Sequence, residues 1–301
     1  MKKILIPSLL ASILFASEQN YIEIGGGVIK SKDNFSTEST KNISGLGKAK
    51  NENIGFPYIE MFYGYDITDS TNLYIASGID GVKLGSIIDS SSGTFDVGLK
   101  VDASEEWENP FLTGSNRNET DVVELGVYAG YSLSFHENHD GAIRYEFSAV
   151  EYDKETVSND LKREGNRHIL SFENIFNTKM FDKELNYVTN LSYEKYDADG
   201  KSSSYDKYEL LIGAMTKLNE NLFFSLFTNV AKQDYEQTNT QVNKKIDVDI
   251  YGVNAGLRWD KPFSYDNTYV NFKTGYEKEE ANHNFYDKEN TYGLVSVGYK
   301  F

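Results

Sequence analysis

From Gln19 to Phe301, apolar and polar side chains alternate with a period of two. Between residues 121 and 135, Val123, Leu125, Val127, Ala129, Tyr131, Leu133 and Phe135 share one face. Glu124, Gly126, Gly130, Ser132 and Ser134 share the other. Residues 94–102, 207–218 and 250–259 repeat the pattern. An extended chain sends successive side chains to opposite sides, so alternation over this length specifies strands. No long stretch carries a helical period. The chain reads as all-β.

Fourteen runs can be marked: 20–30, 54–66, 72–79, 82–88, 94–103, 120–135, 141–153, 165–176, 184–196, 205–218, 222–235, 246–260, 267–279 and 290–301. The third and fourth are short and joined by a hairpin signal at Asp80–Gly81. Counting them keeps the number even, as a barrel with both ends on one side requires; twelve to sixteen brackets the count. Links alternate between short turns and long polar loops, the pattern of an antiparallel up-and-down barrel crossing a membrane. Many runs hold ten or more residues. A tilted strand needs about 9–11 to cross the hydrocarbon, against about 5–6 for a typical soluble strand.

Aromatic residues stand near the run ends, as expected of two interfacial belts. Tyr65, Phe135, Phe176, Tyr187, Trp259, Tyr269 and Phe301 mark the short-turn side. Tyr152, Tyr193, Tyr208, Tyr251 and Tyr276 mark the long-loop side. The expectation is a transmembrane antiparallel β-barrel over 17–301, with apolar rows facing lipid.

Residues 1–16 read as an export signal: Lys2 and Lys3 precede an apolar stretch over 4–15, and Ala16 is a small residue before the cut. The absence of cysteine excludes a disulfide framework, a thiolate metal site and cysteine catalysis. A net charge of −16 repels phosphate backbones, so no nucleic-acid partner is expected.

Val295, Val297, Tyr299 and the terminal Phe301 alternate on one face. This resembles the C-terminal strand signal of Gram-negative outer-membrane barrels, which implies location in that membrane and recognition by the barrel-assembly machinery. Residues 107–121 carry Trp107, Asn109, Pro110, Phe111, Thr113, Gly114, Arg117, Thr120 and Asp121. The stretch resembles a motif of a functionally uncharacterised family of porin-like outer-membrane proteins. That resemblance implies a barrel and no particular substrate.

With the apolar rows outward, the lumen would be lined by Glu60, Asp96, Lys100, Glu124, Arg144, Glu146, Arg167, Glu173, Glu194, Lys207, Glu209, Arg258, Lys273 and Glu277. Fourteen strands give a backbone radius of roughly 14 Å, more than wall side chains can fill. Trp107, Pro110 and Phe111 are rigid and apolar for a connection, and Arg117 could pair with wall carboxylates. Their loop is the candidate for folding inward as a constriction. Residues 31–53 form the longest loop, polar and expected to be mobile.

His136 and His139 share a short turn beside Glu137 and Asp140 and read as solvated turn residues rather than a weak surface metal site. His168 and Ser171 lie on opposite faces of one strand, and His283 has no fixed partner, so no enzyme, cofactor or metal site is expected. The expected function is passive diffusion of small hydrophilic solutes. The alternatives are a substrate-specific uptake channel or receptor and, behind it, a barrel enzyme acting on lipid or peptide. Lipid-facing rows would read alike in a monomer and an oligomer.

Overall fold

The computed structural model describes residues 20–180 and 183–301; the expected export signal lies outside the described residues. Fourteen strands follow one another: β1 (Tyr21–Lys32), β2 (Glu52–Thr68), β3 (Thr71–Gly78), β4 (Gly81–Ser90), β5 (Gly93–Trp107), β6 (Glu119–His136) and β7 (His139–Tyr152), then β8 (Gly165–Met180), β9 (Lys183–Ala198), β10 (Tyr205–Asn219), β11 (Leu222–Asn239), β12 (Lys244–Asp260), β13 (Thr268–Ala281) and β14 (Lys288–Lys300). Each is antiparallel to its neighbours in sequence, and β1 pairs with β14 to close the barrel. Two single-turn 3₁₀ segments, Asn159–Leu161 and Pro262–Ser264, interrupt the connections.

The side chains are distributed inside out relative to a soluble protein. Ile24 is 57% exposed and Val28 66%, while Glu23 on the same strand is 3% exposed. Leu99, Leu125 and Val127 stand outward, whereas Glu124, Ser148 and Ser296 are buried in the interior. A continuous apolar belt of this extent is unstable in water and stable against acyl chains. Along its paired length the ladder satisfies the backbone groups that face acyl chains, as a membrane strand requires.

This orientation makes an asymmetric prediction. Leu99→Arg places a charge on the lipid face near mid-strand and is expected to cost about 2–4 kcal/mol, whereas Glu105→Arg, near the strand's outer end, costs about 0–1 kcal/mol. Urea unfolding in lipid vesicles measures both. Equal costs would overturn the assignment of faces.

Some expectations change. Tyr269 and Tyr152 leave the interfacial belts and point inward. Tyr269 is buried under Arg258, and Tyr152 donates to Glu106 at 2.8 Å beneath Arg163. Both occupy interior positions of their strands, and an aromatic near a strand end reaches an interface only from an outward position. The hairpin turn is Ile79–Asp80, closed by the Gly78–Gly81 pair, rather than Asp80–Gly81. Gly81 adopts φ +93°, a conformation that suits glycine. The long first loop is packed rather than loose, because Phe35, Ile43 and Leu46 rest on an apolar cluster and Asn34 donates to the carbonyls of Gly47 and Phe285.

Candidate functional site

At the long-loop end, five connections converge on one apolar cluster. The β1–β2 loop contributes Phe35, Ile43 and Leu46, the β5–β6 loop Phe111, and the β7–β8 loop Val157 and Leu161. Val242 comes from the β11–β12 loop, and Phe285 and Tyr286 from the β13–β14 loop. The wall meets them with Ile246, Val248 and Ile250 of β12. Phe111 lies 5.4 Å from Phe285 and 6.0 Å from Phe35 between ring centroids. In the ring of strands, β12 stands nearly opposite β5 and β6. The β5–β6 loop therefore reaches across the mouth, and the cluster forms a cap.

Trp107 and Arg117 bind this loop to its neighbour. Trp107 is 0% exposed and Arg117 1%. The indole Nε1 donates to the Ser36 carbonyl at 3.0 Å, and the guanidinium lies 4.3 Å over the indole ring. Arg117 donates to the carbonyls of Asn34 (2.6 Å), Thr40 (2.5 Å) and Pro110 (3.2 Å), and to Ser39 Oγ at 3.1 Å. The expected pairing with wall carboxylates is replaced by these carbonyls, because the first loop wraps the guanidinium and supplies acceptors to both terminal nitrogens. Burial lowers the Arg117 pKa to about 10, so it remains cationic at neutral pH.

Beneath the cap is a cavity of about 210 Å³. Phe35, Phe111 and Tyr286 form its roof, and Tyr152, Tyr196, Tyr205 and Tyr235 stand around it. Its acids are Asp33, Asp102, Glu105, Glu106, Glu124 and Glu279, against Arg163, Arg167 and Lys288. Burial raises the pKa of the Asp33 carboxyl, with Lys288 opposing that shift.

Below, many of the candidate lining residues form two belts. On β5–β9, Lys100 bonds Glu146 at 2.6 Å and lies 3.7 Å from Glu124. Arg167 bridges Glu124 at 2.8 Å and Glu194 at 3.3 Å, and Ser148 also donates to Glu124 at 2.8 Å. Arg144 pairs with Asp96, which accepts from Tyr74 at 2.7 Å. Tyr74 and Tyr128 meet hydroxyl to hydroxyl at 2.5 Å. A Cβ on Gly98 would lie 2.4 Å from the Tyr128 hydroxyl, so glycine lets that ring lie against the wall.

On β13, β14, β1 and β2, Lys273 lies 3.7 Å from Glu23 and 3.8 Å from Glu60, and donates to Tyr58 at 2.9 Å. Outside both belts, Lys207 pairs with Glu209 at 2.9 Å on β10, and Arg258 with Asp260 at 2.7 Å on β12. Glu277 is buried on β13. Glu173 lines a cavity of about 500 Å³ at the short-turn end with Asp96, Arg144 and Asn190. Among the described residues no group of His, Asp and Glu is arranged to hold a metal.

Glu23 was absent from the expected lining, although Ile22 and Ile24 on either side already give its parity. The tyrosines and Arg163 were missed for different reasons. A lumen tyrosine looks like an interfacial one in sequence, and Arg163 lies in a loop, where alternation carries no information. Arg163 pairs with Glu155 at 2.8 Å and Glu106 at 3.0 Å. At the chain end, Phe301 donates its backbone N–H to the Asn20 carbonyl at 2.9 Å, and Val295, Val297 and Tyr299 face outward.

The closed ladder, the lipid-facing rows and the polar interior define a transmembrane β-barrel of the outer-membrane class. The chain belongs to a family of proteins of unknown function, DUF2860, matched over residues 19–300. No protein of curated function matches the sequence. Its fold is similar to that of the CymD monoaromatic hydrocarbon channel (TM-score 0.53, 9% identity, covering 97% of this chain and 91% of that one). It is also similar to a deletion mutant of the TodX monoaromatic hydrocarbon channel (0.55, 11%, 97% and 92%) and to a Pseudomonas aeruginosa FadL homologue (0.51, 10%, 94% and 91%). At these identities the likeness is one of fold.

Proposed function

We propose that this protein is an outer-membrane channel for selective uptake of small solutes that carry an apolar ring, with a preference for cations. The observation that carries this reading is the capped, tyrosine-lined cavity. A cavity of about 150 Å³ accepts benzene, and the one beneath the cap measures about 210 Å³. Arg163 covers Tyr152 and Arg167 covers Tyr196, which leaves Tyr205 and Tyr235 to meet an aromatic body. Carboxylates outnumber cations in the lining, which favours a cationic head. A mouth filled by Phe111, Phe285 and Ile246 argues against an open diffusion pore. The similarity in fold to two hydrocarbon channels supports a channel for ring-bearing solutes. Export through the segment 1–16 and assembly through the C-terminal strand belong to the same reading.

Passive diffusion of hydrophilic solutes is the second reading, favoured by the charged inner wall and the wide cavity at the short-turn end. Protein reconstituted in vesicles separates the two. Benzyltrimethylammonium, whose fixed charge keeps it from crossing lipid unaided, should enter faster than benzenesulfonate, which also stays charged, and much faster than sucrose. Equal entry of all three, with a large steady ionic current in planar bilayers, would favour open diffusion.

A further inference from the structure

The barrel wall is incomplete on one side. β3 and β4 are short, and their hairpin ends at Ile79–Asp80. On β2, pairing with β3 runs from Thr68 only up to Met61, although β2 continues to Glu52. On β5, pairing with β4 stops at Val101, although β5 continues to Trp107. Among the described residues, no strand pairs with these two facing edges above the hairpin. Two absent strands leave about 14 Å between the β2 and β5 backbones at ordinary spacing.

The sequence treats both edges as free. Pro57 is the one proline within a strand among the described residues, and it lies in the unpaired stretch of β2. A proline has no N–H for a ladder and is placed at strand edges. The β5 edge carries Asp102, Glu105 and Glu106, charges that discourage a further strand from pairing there. The gap lies at the border of the membrane. Pro57 and Ile59 of β2 pair with Gly26 and Ile24 of β1, within the lipid-facing row that ends near the exposed Val28. Glu105 opposite marks the headgroup level.

The upper cavity reaches this edge. It is lined by Ser104 and Glu106, whose strand parity is inward, and also by Glu105 between them, whose parity is outward. The first loop roofs the gap, held by the Ser36–Trp107 bond and by the Lys41–Glu119 ion pair at 3.2 Å. With the axial mouth capped, the cavity borders the β5 side of this break, while on the other side Phe56 and Tyr58 of β2 pack with Ile79 of the hairpin.

We infer that the gap between β2 and β5 is a lateral port, through which an amphipathic ring-bearing cation passes between the outer-leaflet interface and the capped cavity. This rests on the function proposed above and adds the route. An amphipathic cation collects where its ring is half dry and its charge is wet, the depth at which the port stands. Glu105 at the β5 edge then attracts its head, and the tyrosines receive its ring.

The test is to lengthen both arms of the β3–β4 hairpin by about four alternating residues, so that it pairs with β2 and β5 and closes the gap. Benzyltrimethylammonium uptake into vesicles should fall about tenfold or more once the wall is closed. Deleting residues 107–114 in the lengthened protein opens the axial mouth and should restore entry, which also shows that the barrel has folded. Uptake unchanged by the longer hairpin would overturn the lateral port and leave the proposed function standing. Absence of uptake by the unaltered protein would overturn both.

Discussion

Deleting Trp107–Gly114 is expected to turn a protein with little steady current into one with a clearly resolved open channel. The deleted segment supplies Phe111, which joins Phe35 to Phe285 across the mouth, and Trp107, whose indole holds Ser36 and carries Arg117. Without them, Arg117 loses its Pro110 acceptor and its aromatic platform, and the first loop loses its anchor. Leu161, Val242, Phe285 and Tyr286, without the residues that join them to the β5–β6 side, no longer span the opening. A backbone radius of roughly 14 Å, less about 5 Å of side chain, leaves a hydrated lumen, so single-channel conductance should rise about tenfold or more. Planar-bilayer recording measures it directly. Conductance identical to that of the intact protein would show that the cap is not the barrier to ions, and would remove the main support for selective uptake.

The second large effect concerns stability. Glu124→Ala removes the carboxylate shared by Lys100, Arg167 and Ser148. Its side chain is 4% exposed, that of Lys100 11% and that of Arg167 24%, so both cations stay largely out of bulk water when the acid is lost. Breaking a buried pair from one side costs about 3–5 kcal/mol when the remaining charge has no other partner. Lys100 keeps Glu146 and Arg167 keeps Glu194, so the expected loss is about 2–3 kcal/mol. Lys154→Ala breaks the Glu108 pair, whose lysine is 58% exposed, and should cost about 0–1 kcal/mol. Urea unfolding in lipid vesicles compares the two. A loss below about 1 kcal/mol for Glu124→Ala would mean that lumen water screens these charges, which favours the open-pore reading.

The two effects depend on features of different legibility. The partners of Glu124 were partly visible: Lys100, Glu124, Glu146, Arg167 and Glu194 all occupy inward positions, and parity alone placed them together. Their pairing required the register, since Arg167 reaches Glu124 only because β8 and β6 flank β7 at a particular stagger. The cap was less legible. Phe111 and Trp107 stood out as apolar residues in a connection, but Phe35, Ile43 and Leu46 were dispersed among polar neighbours, and their loop read as mobile. Arg117 was sent to the wrong partners because carbonyl acceptors leave no mark in a sequence.

The port was the least visible. Its elements, a short hairpin and a strand proline, were present in the sequence, but neither means anything until the pairing of β2 and β5 is known.

What the amino-acid sequence determined by itself is what local covalent geometry encodes. An extended chain turns every second side chain to the same side, so alternation specified strands, their number and the two faces of the wall. Tertiary structure decided everything that depends on segments distant in the chain meeting in space. Barrel closure brought Phe111 to Phe285, folded the first loop over Arg117, paired the lumen charges and left two strand edges facing one another. Those contacts are set by stagger, curvature and loop packing, which act between segments and carry no periodic trace within any one of them.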